Sequence, residues 1–240
     1  MTPGSRLSGK RAVVTGAAGG IGSAIATLFA QEGADVTGLD LARPSGDQAF
    51  LSCDVSDSGS VEDAFSALSA DGRPLDILVN AAGMAGPRGR VHEVGLEDWQ
   101  KVIDVNLRGA FLVMRAAVPL MLARNGGSII NIASVTGLRG MREVSAYSTS
   151  KAGVVQLSRA AALDYAQRGI RVNAICPGPV DTPMLGRQTQ EFLAQLSASV
   201  PMRRLAAPAD VAQLALFLAS DDAVYVTGQC QVVDGGFLAA

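Results

Sequence analysis

The 240-residue sequence predicts a single-domain α/β fold over residues 1–240, a doubly wound parallel sheet of about seven strands with helices on both faces. Three observations predict it. Short apolar runs alternate with longer helical patterns along the whole chain. Several of the short runs, such as Ile77-Leu78-Val79, are apolar without a break, as strands covered on both faces are. The length suits one undivided unit, and 48% hydrophobic residues supply a large core.

A first strand over 11–15 runs into a glycine-rich turn and a helix over 21–32. Strands follow over 35–39 and 49–53. The connection between them holds Pro44, Ser45 and Gly46, all loop formers, so the crossover helix expected there is absent or one turn long. That is lean for a parallel crossover. A helix over 60–70 leads to a strand over 76–80, and a long helix over 96–123 to a strand over 128–132. A helix over 146–168 precedes the strand over 171–176. Helices over 191–199 and 208–219 come before the last strand, 231–233. Pro208 suits a helix's first turn, where its missing N–H costs nothing. Each strand–helix–strand step takes the right-handed crossover. The sequence holds no repeat, linker or low-complexity segment.

Composition removes several function classes. A formal net charge of -2 offers no basic field for nucleic acid. Residues 1–10 lack the apolar run of a signal peptide. No stretch reaches the roughly 18 uninterrupted apolar residues of a membrane span. The most apolar region, 110–123, is interrupted by Arg115 and Pro119 and reads as a buried helix. Cys53, Cys176 and Cys230 are far apart in the chain and odd in number, which fits neither a disulfide framework nor a zinc cluster. A soluble, cytoplasmic protein with reduced thiols and no metal site is expected. The one histidine, His92, reads as a surface loop residue. No G-x-S-x-G elbow accompanies it, which excludes a Ser-His-Asp hydrolase, and zinc ligands for a metal-dependent dehydrogenase are lacking.

The first strand runs into Thr15-Gly16-Ala17-Ala18-Gly19-Gly20-Ile21-Gly22. Gly16 allows a tight backbone shape, Gly20 lets the main chain approach a pyrophosphate, and Gly22 lets helix and strand pack closely. The helix N-terminus then offers unpaired N–H groups to phosphate. Asp40 closes the second strand, about 20 residues further on, where an acid bonds both ribose hydroxyls of NAD. The same carboxylate repels the 2′-phosphate of NADP. Arg43 stands close enough in sequence to soften that repulsion, while Ala17 and Ala18 carry no positive charge. NAD is therefore the expected cofactor of a Rossmann-type fold.

Tyr147-Ser148-Thr149-Ser150-Lys151 opens a helical stretch, and residues four apart share a helix face. A free phenol titrates near ~10 and is a poor base at neutral pH. An ammonium on the same face stabilises phenolate, lowers that pKa and makes the phenol a proton donor or acceptor. Ser134 follows the fifth strand, at the carboxyl ends where active groups of parallel sheets collect. Its hydroxyl is placed to hold a substrate oxygen beside Tyr147. Each of these features is common alone. Their combination is not.

With these pieces the sequence resembles the short-chain dehydrogenase/reductase family, over almost the whole chain. The resemblance rests on Thr15-Gly16-x-x-x-Gly20-x-Gly22, Asp54, Asn80-Ala81-Ala82-Gly83, Asn106, Ser134, Tyr147-x-x-x-Lys151, and Pro177-Gly178 with Thr182 after it. It implies that Tyr147 protonates a carbonyl oxygen in reduction or takes the hydroxyl proton in oxidation. Ser134 positions that oxygen. Lys151 lowers the tyrosine pKa and binds the nicotinamide ribose, and Asn106 holds a water linking Lys151 to solvent through its main chain. The family's cofactor contacts fall on Gly16, Gly20, Ile21, Gly22, Asp40 and Leu41. Asp54 and Val55 fall at the adenine, Asn80 and Ala81 along the cleft, and Pro177, Val180 and Thr182 at the nicotinamide. Transfer of the pro-S hydride is expected from the same source.

Substrate lining is expected from the loop after Gly83, with Met84, Pro87, Arg88 and Arg90, and from 135–145, with Leu138, Arg139, Met141 and Arg142. A third part is 184–190, with Met184 and Arg187, and the helix after it. Arginines grip carboxylates bidentately, which suits a keto or hydroxy acid, although such arginines are more often merely solvated. A cyclic or aromatic alcohol, a polyol and a 3-oxoacyl thioester stay open. Apolar faces on the helices around 102–118 and 154–163, with Gly109 among them, suit close packing, either on the chain's own sheet or between subunits. The resemblance implies a homotetramer. The rival readings are an enoyl reductase or epimerase-type relative, and a non-catalytic NAD-binding regulator or scaffold. Intact Asn106, Ser134, Tyr147 and Lys151 speak against the last.

Overall fold

A computed structural model describes residues 5–43, 48–186 and 189–240. Seven strands form one parallel sheet: β1 (Arg11–Thr15), β2 (Asp35–Asp40), β3 (Ala49–Ser52), β4 (Ile77–Asn80), β5 (Gly127–Ile132), β6 (Ile170–Pro177) and β7 (Cys230–Val233). Their spatial order is β3-β2-β1-β4-β5-β6-β7. The order reverses between β1 and β4, which opens a crevice beyond the carboxyl ends of those strands. Thr15, Asn80 and Asn131 stand side by side in the register of β1, β4 and β5, a polar row at that end of the sheet.

Alternation along the buried strands divides the core in two. Ala12, Val14, Ile77, Val79 and Ile130 face α1 (Gly20–Gln31) and α7 (Pro208–Ala219), where Ile25, Phe29, Val211 and Leu216 meet them. Val13, Leu78 and Ile129 face the opposite layer. That layer is α2 (Ser58–Ser69), α4 (Gly109–Leu122) and α5 (Ser145–Tyr165). Each large side chain buried in this way contributes about 1.5–3 kcal/mol. The helices start where their caps allow. Asp57 accepts N–H bonds from Gly59 and Ser60 at the head of α2, and Asp210 accepts from the Ala207 N–H ahead of Pro208.

The long helix expected over 96–123 is not one α-helix. It consists of α3 (Leu96–Ile103), a π turn over Asp104–Arg108, and α4. The widened turn carries Asn106, and π turns concentrate at functional sites. By length and composition this run could cross a membrane, yet Val113, Ala117 and Met121 of α4 are buried in the sheet-facing core. Gly109 answers to packing within the chain, since a Cβ there would stand 2.9 Å from Val55 Cγ2.

The remaining helix, α6 (Gln190–Ser199), lies between β6 and α7 in the chain. β2 ends at Asp40 and β3 begins at Ala49, and residues 41–43 and 48 between them are not helical. Pro44, Ser45 and Gly46 lie outside the described residues. The cysteines depart from their sequence spacing. Pairing of β6 with β7 brings Cys176 Sγ and Cys230 Sγ to 3.0 Å. His92 is exposed, 3.8 Å from Glu93.

Candidate active site

The crevice at the sheet's carboxyl end is a cavity of ≈ 1400 Å³. The turn between β1 and α1 forms one wall. Gly16 takes φ +68, and a Cβ on it would stand 2.7 Å from the Ala82 N. A Cβ on Gly22 would lie 2.1 Å from the Gly16 carbonyl oxygen, so neither position admits a side chain. Across the cavity, a Cβ on Gly20 would meet Thr182 Cγ2 at 2.6 Å. No side chain caps α1 at Gly19, which leaves first-turn N–H groups for an anion.

Asp40 ends β2 at the lip of this wall. Its carboxylate accepts from the Ala18 N–H at 2.9 Å and the Leu41 N–H at 2.7 Å, binding the glycine turn to the second strand. Arg43 does not line the cavity; its guanidinium lies over the Phe50 ring, 5.4 Å from the centroid. Asp54 Oδ1 accepts from the Ser56 N–H and hydroxyl at 2.9 and 2.7 Å. Ile21, Leu41, Asp54, Val55, Ala81, Pro177, Val180 and Thr182 all line the cavity. A groove with bare glycine backbone, an uncapped helix start and a carboxylate at the neighbouring strand end fits a dinucleotide.

The part of the cavity that holds Ser134, Tyr147 and Lys151 is built by the segment after β5 and by α5. Ser134 precedes a 3₁₀ turn, Val135–Gly137, and its hydroxyl accepts from the Thr136 N–H at 3.2 Å. That turn packs on α5 so tightly that a Cβ on Gly137 would stand 2.7 Å from the Lys151 carbonyl carbon. Ser134 is thereby held against the first turn of α5, where it hydrogen-bonds the Tyr147 phenol. Lys151, one turn on, is buried and donates to the Ile132 carbonyl at 2.8 Å, with Nζ 5.7 Å from the Tyr147 ring centroid.

The electrostatics differ in sign from the expectation. Burial raises the phenol above its ordinary value, opposed by the Ser134 hydrogen bond. Lys151 is pulled down to about 8, again by burial, with the nearby Cys176 acting weakly the other way. Desolvation disfavours both charged forms, and it outweighs the pull of ammonium on phenol. Tyr147 therefore rests as a neutral acid.

Asn106 and Asn80 stand behind the cavity and not in its lining. The Asn106 side chain accepts from the Met84 N–H at 2.8 Å and donates to the Met84 carbonyl at 2.9 Å and to Ser150 Oγ at 3.0 Å. Ser150, fully buried, donates to the Tyr147 carbonyl at 2.7 Å. The pair ties the loop after β4 to the helix bearing Tyr147. Asn80 differs from its expected place in the cleft: its amide donates to Asn131 Oδ1 at 2.8 Å, and Asn131 donates to Ser158 Oγ. Ser150, Asn131 and Gly137 were not singled out from the sequence.

The substrate end also departs from expectation. Met84 and Met184 line the cavity, joined by Pro179 and Leu185, whereas none of residues 135–145 does. Among the described residues the lining holds no arginine. Arg88 faces Glu143 at 3.8 Å, and Arg139 lies over the Phe237 ring. Arg187 lies outside the described residues. An unexpected wall comes from α3 and the π turn, with Trp99, Lys101 and Asp104.

Comparison with known proteins finds relatives over almost the whole chain. A family model described as enoyl-(acyl carrier protein) reductase matches residues 16–238. The chain is 40% identical to a cis-4-hydroxycyclohexanecarboxylate dehydrogenase of Sinomonas cyclohexanicum, over 98% of this chain and 99% of that protein. It is 39% identical to a 2,5-dichloro-2,5-cyclohexadiene-1,4-diol dehydrogenase of Sphingobium indicum, over 97% and 98% of the two chains. Among solved structures, the aldohexose dehydrogenase of Thermoplasma acidophilum superposes with a TM-score of 0.93 at 34% identity, covering 98% of this chain and 96% of the other.

Proposed function

The chain belongs to the short-chain dehydrogenase/reductase family, and from that premise we propose that it is an NAD-dependent oxidoreductase acting on a secondary alcohol or its ketone. One observation carries the reading: Ser134, Tyr147 and Lys151 line the same cavity as the bare glycine turn and Asp40. When bound, a nicotinamide would supply or accept the hydride. The protein's own residues handle the proton. Ser134 holds the substrate oxygen, and the neutral Tyr147 gives its proton to that oxygen as the carbonyl is reduced. In the reverse direction the phenol must first lose its proton, which its burial opposes.

Asp40 supports NAD over NADP, because its carboxylate would face the 2′-phosphate, and Arg43, three residues on, lies over Phe50 outside the cavity lining. The apolar lining at Met84, Pro179, Met184 and Leu185 supports an uncharged or ring-shaped substrate body over a small carboxylic acid. Two relatives are named for ring alcohols, one of which also carries a carboxylate. The description of the matching family model favours a second reading, enoyl reduction. Ser134 and Tyr147 meeting at one point suits an oxygen that needs a proton, and so favours the carbonyl reading.

The test is a panel of cyclic and open-chain alcohols and ketones, with an enoyl thioester as the contrasting arm, followed at the nicotinamide absorbance band. NADH is expected to bind about tenfold tighter than NADPH, or more. Tighter NADPH binding would overturn the role given to Asp40, and turnover of the enoyl thioester alone would overturn the carbonyl reading.

We also propose a homotetramer. Phe111 on α4 and Leu163 on α5 are 49% and 84% exposed, and a second apolar group, Val224, Tyr225 and Val232, lies exposed near the carboxyl end. Sedimentation at the mass of four chains is the expected result. A monomer at micromolar concentration contradicts it.

A further inference from the structure

We propose that Cys176 and Cys230 form a redox-sensitive pair, whose closure to a disulfide slows the chemistry of the site beside it. The pair lies outside the cavity lining, on neighbouring strands, with the two sulfurs 3.0 Å apart. Cys176 is fully buried and Cys230 partly exposed, both against the small-residue cluster that holds Ala110, Val154 and Val155. The third cysteine, Cys53, is separate and contacts the Ser60 carbonyl.

Cys176 adjoins the catalytic groups on two sides. The Ser134 backbone N–H bonds its sulfur, and Lys151 is near enough for each to influence the other's titration. The next residues along the chain, Pro177 to Val180, line the cavity. The edge strand β7 is coupled to that segment. Gly178 donates its N–H to the Val233 carbonyl at 3.0 Å, and a Cβ on Gly178 would stand 2.8 Å from Asp234.

The chemistry needs a small-molecule disulfide as oxidant. The Cys176 hydrogen bond draws the Cys230 thiol down to about 7, helped by Arg159 and opposed by burial, while that bond and burial push Cys176 up. Cys230, partly exposed, is thus the attacking thiolate. It attacks one sulfur of the oxidant, forming a mixed disulfide and releasing one thiolate. Cys176 then loses its proton to water and attacks Cys230 Sγ, releasing the second thiolate. In sum, two cysteine thiols and one small disulfide become one internal disulfide and two small thiols, with two electrons passing to the oxidant. A disulfide bond of about 2.0 Å is shorter than the present separation. Among the described residues β7 pairs with β6 alone, so closure shifts this edge strand and draws Cys176 from the Ser134 N–H. A compartment that keeps thiols reduced leaves the pair open, and oxidative load closes it.

The effect on turnover rests on the proposed activity, whereas the pairing does not. The full chain is incubated with oxidised glutathione, mapped by mass spectrometry without reductant, and assayed before and after dithiothreitol. The expected result is a Cys176–Cys230 linkage, a mass lower by two hydrogen atoms, and turnover reduced about tenfold or more, restored by reductant. Cys230→Ser is expected to keep its turnover and ignore the oxidant. A stable glutathione adduct on Cys230 with no internal bond overturns the pair, and an internal bond with unchanged turnover overturns the control. The bond is read from mass alone, so its absence counts against the pair whatever the chain catalyses. Failure on the alcohol and ketone panel with the bond present counts against the proposed activity.

Discussion

Tyr147→Phe is expected to lower turnover about a thousandfold in either direction while leaving NADH affinity within about threefold, since a positioned acid or base contributes about 10²–10⁴. The substitution removes one hydroxyl and retains the ring. The group that loses a partner, the Ser134 hydroxyl, still accepts from the Thr136 N–H. Lys151 keeps its bond to the Ile132 carbonyl, and Ser150 still reaches the residue-147 carbonyl. The fold and the glycine turn are therefore untouched, and the loss falls on the proton step. Steady-state rates on the best substrate of the panel, with NADH binding measured by fluorescence, check it. A variant that turns over near the wild-type rate excludes Tyr147 as the acid.

Lys151→Met carries the second large effect, and it has two parts with opposite signs. Turnover is expected to fall by about a hundredfold or more, because the cation beside the phenol is lost. Stability is expected to rise. Folding buries this amine and lowers its pKa from 10.5 to about 8. At neutral pH the folded state therefore carries an ammonium that water would solvate better, a cost on the order of 3 kcal/mol. Methionine of similar length avoids the charge but leaves the Ile132 carbonyl without its donor, so the net gain is about 1–2 kcal/mol. The sign with pH follows from the depressed folded value. The unfolded chain binds more protons between about 8 and 10.5, so wild-type stability rises across that window. The advantage of the variant is full below pH 8 and fades toward 10.5. Thermal melts of both proteins across that range check it, and a variant less stable at neutral pH would overturn the account of Lys151.

The sheet was legible in the sequence because its strands are apolar without a break and its punctuation is strong. All seven strands, and the flanking helices other than the one expected over 96–123, lie within a few residues of their expected bounds. Gly16, Gly20, Gly22 and Asp40 could be placed because backbone chemistry demands glycine in the turn and an acid at the next strand end. Other features depend on tertiary contact and leave little trace. The π turn at Asp104–Arg108 shows no local signature, since its residues continue a helical pattern. Residues far apart in sequence meet only through strand pairing, as Cys176 meets Cys230, or through helix docking, as Asn106 meets Ser150. The arginines proposed for a carboxylate were read from loop composition, which does not say where a loop points; Arg139 folds onto Phe237 instead. The phenol's pKa was misjudged for a related reason. Spacing of four residues places Lys151 on the same face, yet the depth of burial decides the sign.

The proton role of Tyr147 is tested most directly by the pH dependence of kcat/KM in both directions on one alcohol–ketone pair, from about pH 6 to 10. Because burial holds the phenol protonated, oxidation is expected to climb toward alkaline pH across this range while reduction stays close to level. A flat oxidation profile, or a reduction profile that climbs along with oxidation, would contradict the assignment of this phenol as the group that carries the proton.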